Sequence, residues 1–176
     1  LKKVVMAGGV ALNTKANWRL LNETPFEEIF IQPAAGDDGG ALGAALWAYH
    51  ILLGKPRTTP MPHAYWGKAY SDAECRAFLD QNGIPYEAFD DQPDKLVDTV
   101  VDAMTNSKVI GLHQGRFEWG PRALGNRSIL ADPRGAEMKE IVNTKIKFRE
   151  PFRPFAPVIL RDRSPEYFEY PGVATH

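Results

Sequence analysis

Residues 115–160 read GRFEWGPRALGNRSILADPRGAEMKEIVNTKIKFREPFRPFAPVIL. Gly115–Gly125 is a glycine-bounded loop, and Ser128–Ala131 fits a short strand. Ala136–Lys147 places Met138, Ile141, Val142 and Ile146 at helical spacing, and Ala156–Leu160 fits a further strand. The same stretch holds the positive charge. From Lys108 to Arg163 there are twelve Lys and Arg against six Asp and Glu, leaving nine against sixteen elsewhere. The cations are interleaved with Trp119, Leu124, Ile129, Phe148, Phe152 and Phe155. A guanidinium among apolar side chains loses hydration and requires an anionic partner. An anion-binding site for phosphorylated small molecules is the simplest expectation.

The alternation extends outward in both directions. Val109–His113 is expected to be a strand, and Pro93 to occupy the first turn of a helix ending near Met104. Tyr86–Phe89 fits a short strand, and Ser71 with Glu74 forms a capping box that opens a helix to about Gln81. Lys55–Ala69, with Pro56, Pro60, Pro62 and Gly67, is a candidate linker. Gly39–Leu53 is apolar nearly all round and is expected to be a helix buried on most sides. Ile29–Ile31 and Val4–Ala7 fit short strands, Asn13–Leu21 a helix between them, and Pro165–Phe168 a last short helix. The predicted class is α/β.

Composition narrows the function. The chain has 176 residues, 44% hydrophobic and 24% charged, with a net charge of −1. This is globular composition with no global field to attract nucleic acid or a membrane surface. One cysteine, Cys75, excludes an internal disulfide framework and a multi-cysteine zinc site. No apolar run approaches the roughly 20 residues of a membrane helix. A cytoplasmic setting is expected, without nucleic-acid or membrane partners, and a homodimer is compatible with the reading. Both ends read as cut from a longer polypeptide; a complete small protein is the alternative.

Three motifs carry chemistry. Gly8-Gly9-Val10-Ala11-Leu12-Asn13 joins a strand to a helix, where paired glycines admit a ligand to the backbone and helix-start amides face an anion. Plain turn chemistry is the bland reading, and Asn13 has two roles open, helix cap or nucleotide contact. Gly36-Asp37-Asp38-Gly39-Gly40 puts two carboxylates at a helix start. One fits a cap, and the other is free for a hard metal ion, with further ligands required from elsewhere. Gly120-Pro121-Arg122 and Gly125-Asn126-Arg127 present two guanidinium groups, followed by Lys145, Lys147, Arg149 and Arg153. Phosphate binding is one reading of these cations. A structural network with Glu118 and Glu150 is another, and RNA binding a third. His113, at the end of an apolar strand, is more naturally a core histidine than a base.

GGVALN, QPAAGDDGGALGAAL, GRFEWGPRALGNRSILADPR and KFREPFRPFAPVIL, in this order, resemble the NodU/CmcH-type O-carbamoyltransferases over nearly the whole chain. The resemblance implies that residues 1–55 end an actin-like carbamoyl-transfer domain, that 56–69 link, and that 70–176 form most of a C-terminal α/β domain of the carbamoyl-adenylate-forming kind. It implies a reaction in which ATP and carbamoyl phosphate give carbamoyl adenylate, and the carbamoyl group passes to a hydroxyl of a sugar or natural-product acceptor. Position by position, Arg122, Lys147 and Arg153 would hold carbamoyl phosphate, and Gly8, Gly9 and Asn13 the nucleotide. Asp37 would bind iron, or another divalent metal, beside histidines outside this sequence; magnesium is a further candidate ion. No catalytic residue is assigned. The isolated chain is expected to be inactive, and its actin-like piece to expose apolar surface. A non-catalytic phosphate- or nucleotide-binding module is the competing reading.

Overall fold

A computed structural model describes residues 1–58 and 60–169. They divide into two compact units. One comprises Leu1–Trp66, Trp119–Arg122 and the chain from Val158; the other comprises Gly67–Glu118 and Ala123–Pro157. Helices and strands are mixed along the chain, as an α/β class requires.

In the first unit, β1 (Lys3–Met6) pairs in parallel with β2 (Glu28–Ile31), Val4 opposite Ile29 and Val5 opposite Phe30. Parallel neighbours need a crossover, and α1 (Thr14–Glu23) supplies it. Asn13 caps α1, its Oδ1 accepting from the Ala16 amide at 3.1 Å. One sheet face carries the half-buried Val4, Met6, Ile29 and Ile31. The other exposes Val5 and Phe30 beside the Lys3–Glu28 ion pair.

The chain leaves β2 through a turn at Pro33–Ala35 that is packed against backbone. Ala34 and Ala35 are buried. The Gly8 amide donates to the Ala35 carbonyl at 2.6 Å. The Gln32 side chain bonds both the amide and the carbonyl of Ala34. Two glycines close on the same turn. A Cβ on Gly39 would lie 2.0 Å from the Ala34 oxygen, and one on Gly120 would lie 2.4 Å from the Pro33 oxygen. Gly120 also has φ +107°, outside the range L side chains favour.

A 3-10 turn at Asp37–Gly39 leads into α2 (Gly40–Trp47), which continues as a π-helical turn at Ala48–Leu52. The expected helix is present, but its burial is not. No residue of α2 is buried, and Trp47, Ile51, Leu52 and Leu53 are exposed. Uniform apolarity records what a helix is suited to bury; the partners must come from elsewhere. The expected exposure of apolar surface on this piece is therefore observed.

The second unit carries α3 (Asp72–Gln81), α4 (Pro93–Thr105), β3 (Ile110–His113), β4 (Arg127–Leu130) and α5 (Met138–Ile141). Ser71 and Glu74 form the complete capping box, and Pro93 occupies the first turn of α4. β3 and β4 are antiparallel, Ile110 opposite Leu130 and His113 opposite Arg127. Met138 and Val142 are buried. The expected long helix over 136–147 is α5 followed by a π-helical turn at Val142–Ile146, closed by the Lys147 amide on the Val142 carbonyl at 2.9 Å. Tyr86–Phe89 and Ala156–Leu160 are not strands. Their residues suit a ladder, but among the described residues no strand pairs with them. In place of a helix over Pro165–Phe168 there is a 3-10 helix at Arg161–Glu166. The expected terminal stretch 170–176 lies outside the described residues.

Gly120→Ala is expected to destabilise the protein by about 2–4 kcal/mol, combining overpacking with a disfavoured φ. Equilibrium urea unfolding measures it; an unchanged midpoint would show that the Pro33 carbonyl can move aside.

Candidate functional site

The loop between β3 and β4 is organised by a buried carboxylate. Glu118 has a side-chain exposure of 0%. Its Oε1 accepts from the amides of Leu124 at 2.7 Å and Asn126 at 2.8 Å. Its Oε2 accepts from the Arg127 Nε at 3.0 Å. Burial alone would push the carboxyl pKa up, but the amide donors of Leu124 and Asn126 outweigh it and hold the group below its ordinary value. Arg127, one of the two glycine-flanked guanidinium groups, is thus engaged within the fold.

A second loop, Lys147–Arg153, is held by Asn143, whose exposure is 0%. Asn143 Nδ2 donates to the carbonyls of Pro151 at 3.1 Å and Arg153 at 3.0 Å. Its Oδ1 accepts from Arg149 Nε at 2.7 Å, and its main-chain carbonyl accepts from the Arg149 amide at 2.9 Å. Arg149 also lies over the Phe155 ring at 4.8 Å. Sequence reasoning missed Asn143 because it sits within an apolar helical pattern. The one available signal was an asparagine between Val142 and Thr144, where a helix interior disfavours it.

The remaining site residues fall as follows. Arg122 belongs to the first unit, where its Nη2 donates to the Leu12 carbonyl at 2.9 Å. Lys147 and Arg153 belong to the second unit and are both exposed. Arg153 pairs with Glu150 at 2.8 Å, with exposures of 52% and 53%. Lys147 has no ion-pair partner among the described residues. The main-chain amide of Glu150 itself, then the Arg153 guanidinium, lower the Glu150 pKa. The structural-network reading therefore holds for Glu118 with Arg127 and for Glu150 with Arg153. His113 is exposed, with its ring 4.7 Å from that of Phe117, and is not a core residue.

In the first unit, Gly8 has φ +91°, and nothing lies within 4 Å of a Cβ built on Gly8 or Gly9. The backbone beside both glycines is open to a ligand. Asn13 acts as the helix cap. Asp37 and Asp38 are exposed, and neither caps the helix that follows. Among the described residues no three His, Cys, Asp or Glu side chains gather to hold a metal. The residues present do not fit an iron site by themselves, since Asp37 offers one carboxylate and lacks imidazole co-ligands. No helix among the described residues is long and apolar enough to cross a membrane.

Comparison with known proteins agrees with the ordered motifs. Residues 1–46 match the family profile described as carbamoyltransferase N-terminus, and residues 101–175 the one described as carbamoyltransferase C-terminus. The chain is 45% identical over 175 residues to an uncharacterized protein of Synechocystis sp., covering 96% of this chain and 28% of that protein. It is 44% identical to nodulation protein NolO of Bradyrhizobium diazoefficiens, covering 97% of this chain and 31% of the relative. Nodulation protein U of Rhizobium fredii is 35% identical, covering 97% of this chain and 27% of the relative. The chain thus spans 27–31% of the length of these curated relatives.

Because its folded pKa is lowered, Glu118 contributes stability that is present above the ordinary glutamate value of 4.5 and lost as pH falls through the folded value. Glu118→Gln is expected to cost about 1.5–3 kcal/mol at pH 7, the range for hydrogen bonds to a charged group, and to remove this acid limb. Denaturant titrations at pH 7 and from pH 5 downward test both effects; parallel stability profiles for the two proteins would refute the role.

Proposed function

The chain belongs to the carbamoyltransferase family with its NodU-type relatives, and we propose that it serves ATP-dependent O-carbamoyl transfer. Water attacks carbamoyl phosphate and releases inorganic phosphate, leaving carbamate, whose oxygen is the nucleophile of the next step. Formation of carbamoyl adenylate at the α-phosphorus of ATP displaces pyrophosphate. Attack by an acceptor hydroxyl on the carbamoyl carbon then releases AMP. The acceptor is a sugar or another hydroxyl-bearing small molecule.

In this reading Lys147 and Arg153 receive the donor phosphate, and the open backbone at Gly8 and Gly9, with Asn13, receives the nucleotide. Residues 1–55 serve as the end of an actin-like transfer domain and residues from 70 onward as the activating domain. The observation that carries the proposal is the state of Lys147. It is exposed and has no ion-pair partner among the described residues, on a loop whose backbone is tied to the buried Asn143. A mobile surface lysine has no need of such anchoring. A point charge meant for a phosphate gains from it, because less freedom is lost on binding.

The proposal predicts carbamoyl-phosphate-dependent release of pyrophosphate from ATP by the polypeptide that carries this sequence. Lys147→Ala should weaken carbamoyl-phosphate binding about tenfold, the effect of one charge-assisted contact. A coupled pyrophosphate assay and calorimetric titration measure the two quantities. Binding of the donor without pyrophosphate release would favour a non-catalytic phosphate-binding module instead.

A further inference from the structure

Asn143 is the largest fully buried side chain among the described residues. A carboxamide taken out of water requires partners for two donors and an acceptor. All three are found on one loop: Nδ2 serves the Pro151 and Arg153 carbonyls, and Oδ1 serves Arg149 Nε. The Arg149 amide returns to the Asn143 carbonyl, and the Lys147 amide is tied to Val142, the preceding residue. The loop is fastened near both ends to one point of the π-helical turn.

Within that loop Phe148 has φ +49° and is 84% exposed. A bulky residue in the left-handed region is an outlier, and no burial of its side chain compensates for it. Such a conformation persists where the surroundings over-determine it. Here they are the Lys147 amide on one side and the doubly bonded Arg149 on the other. Arg149 further reaches the Pro154 carbonyl at 3.5 Å and the Phe155 ring. Arg149 therefore serves as a brace inside the loop.

We propose that Asn143 is a positioning residue for the donor phosphate. It fixes the backbone at Arg153 directly and the backbone beside Lys147 through Arg149, so that the two cations are presented in a set geometry. The inference rests on the reading of Lys147 and Arg153 as donor contacts. Sites of this kind lose function when supporting groups loosen, even with every contacting residue in place.

Calorimetric titration of carbamoyl phosphate into the full chain tests it, using Asn143→Asp in the wild-type background and in a Lys147→Ala/Arg153→Ala background. The aspartate keeps the size of asparagine and its acceptor for Arg149, but sets a lone pair against the Pro151 and Arg153 carbonyls. Affinity should fall tenfold or more in the wild-type background and not fall further in the doubly substituted one. Equal losses in both backgrounds would reveal a merely structural role and overturn the proposal, as would wild-type affinity for Asn143→Asp. Arg149→Met loosens the same brace at a half-buried position and supplies the readout if Asn143→Asp does not fold. It should weaken binding several-fold in the wild-type background alone, and an equal loss in both again overturns the proposal. Wild-type affinity of Lys147→Ala/Arg153→Ala itself would instead refute the donor-site reading, and this inference with it.

Discussion

Two loops of the second unit lack regular secondary structure, and their backbone polar groups must still be satisfied. Buried side chains take over the role that strand ladders perform elsewhere. The carboxylate of Glu118 collects the amides of Leu124 and Asn126. The carboxamide of Asn143 collects the carbonyls of Pro151 and Arg153. The signs are complementary: an acceptor-only group gathers donors, and an amide NH2 gathers acceptors. Each device fixes several backbone positions through one side chain, and each is intolerant of the opposite hydrogen-bonding character.

The first unit uses a different device. Its tight turn at Pro33–Ala35 is approached by Gly39 and Gly120 at distances that leave no room for a Cβ. Close backbone packing there contrasts with the open apolar surface of Val5, Phe30 and the helix from Gly40 onward. Parallel sheets are normally covered on both faces, and two strands alone are marginal. The Val5 and Phe30 face of the pair is uncovered, which leaves more of its support to the packed turn. The turn also holds Gly8 through its amide, which links the open glycine backbone to the best-packed point of the unit.

What was legible in the sequence was local. The Ser71–Glu74 capping box and the proline opening α4 satisfy helix termini with residues three or fewer positions away, and both are present. Features that depend on distant partners were not legible. Tyr86–Phe89 and Ala156–Leu160 have strand-forming residues, yet a strand exists only through its neighbour. The helix over 136–147 had the right spacing, but the buried Asn143 and the wide turn around it are set by a loop up to ten residues later. The four ordered motifs identified the family because such motifs record chemistry directly. They did not separate cations that bind a ligand from cations that hold the fold.

Burial makes that separation. Arg127 meets a carboxylate with no exposed side-chain area, so detaching it would leave a buried charge to the two amide donors alone, a loss of about 1.5–3 kcal/mol. Arg153 meets Glu150 with both side chains about half exposed, and such a pair contributes only about 0–1 kcal/mol. An incoming phosphate can therefore displace Glu150 from Arg153 at little cost, and it cannot draw Arg127 away from Glu118. Pairing in the free protein thus does not disqualify Arg153, whereas it does disqualify Arg127.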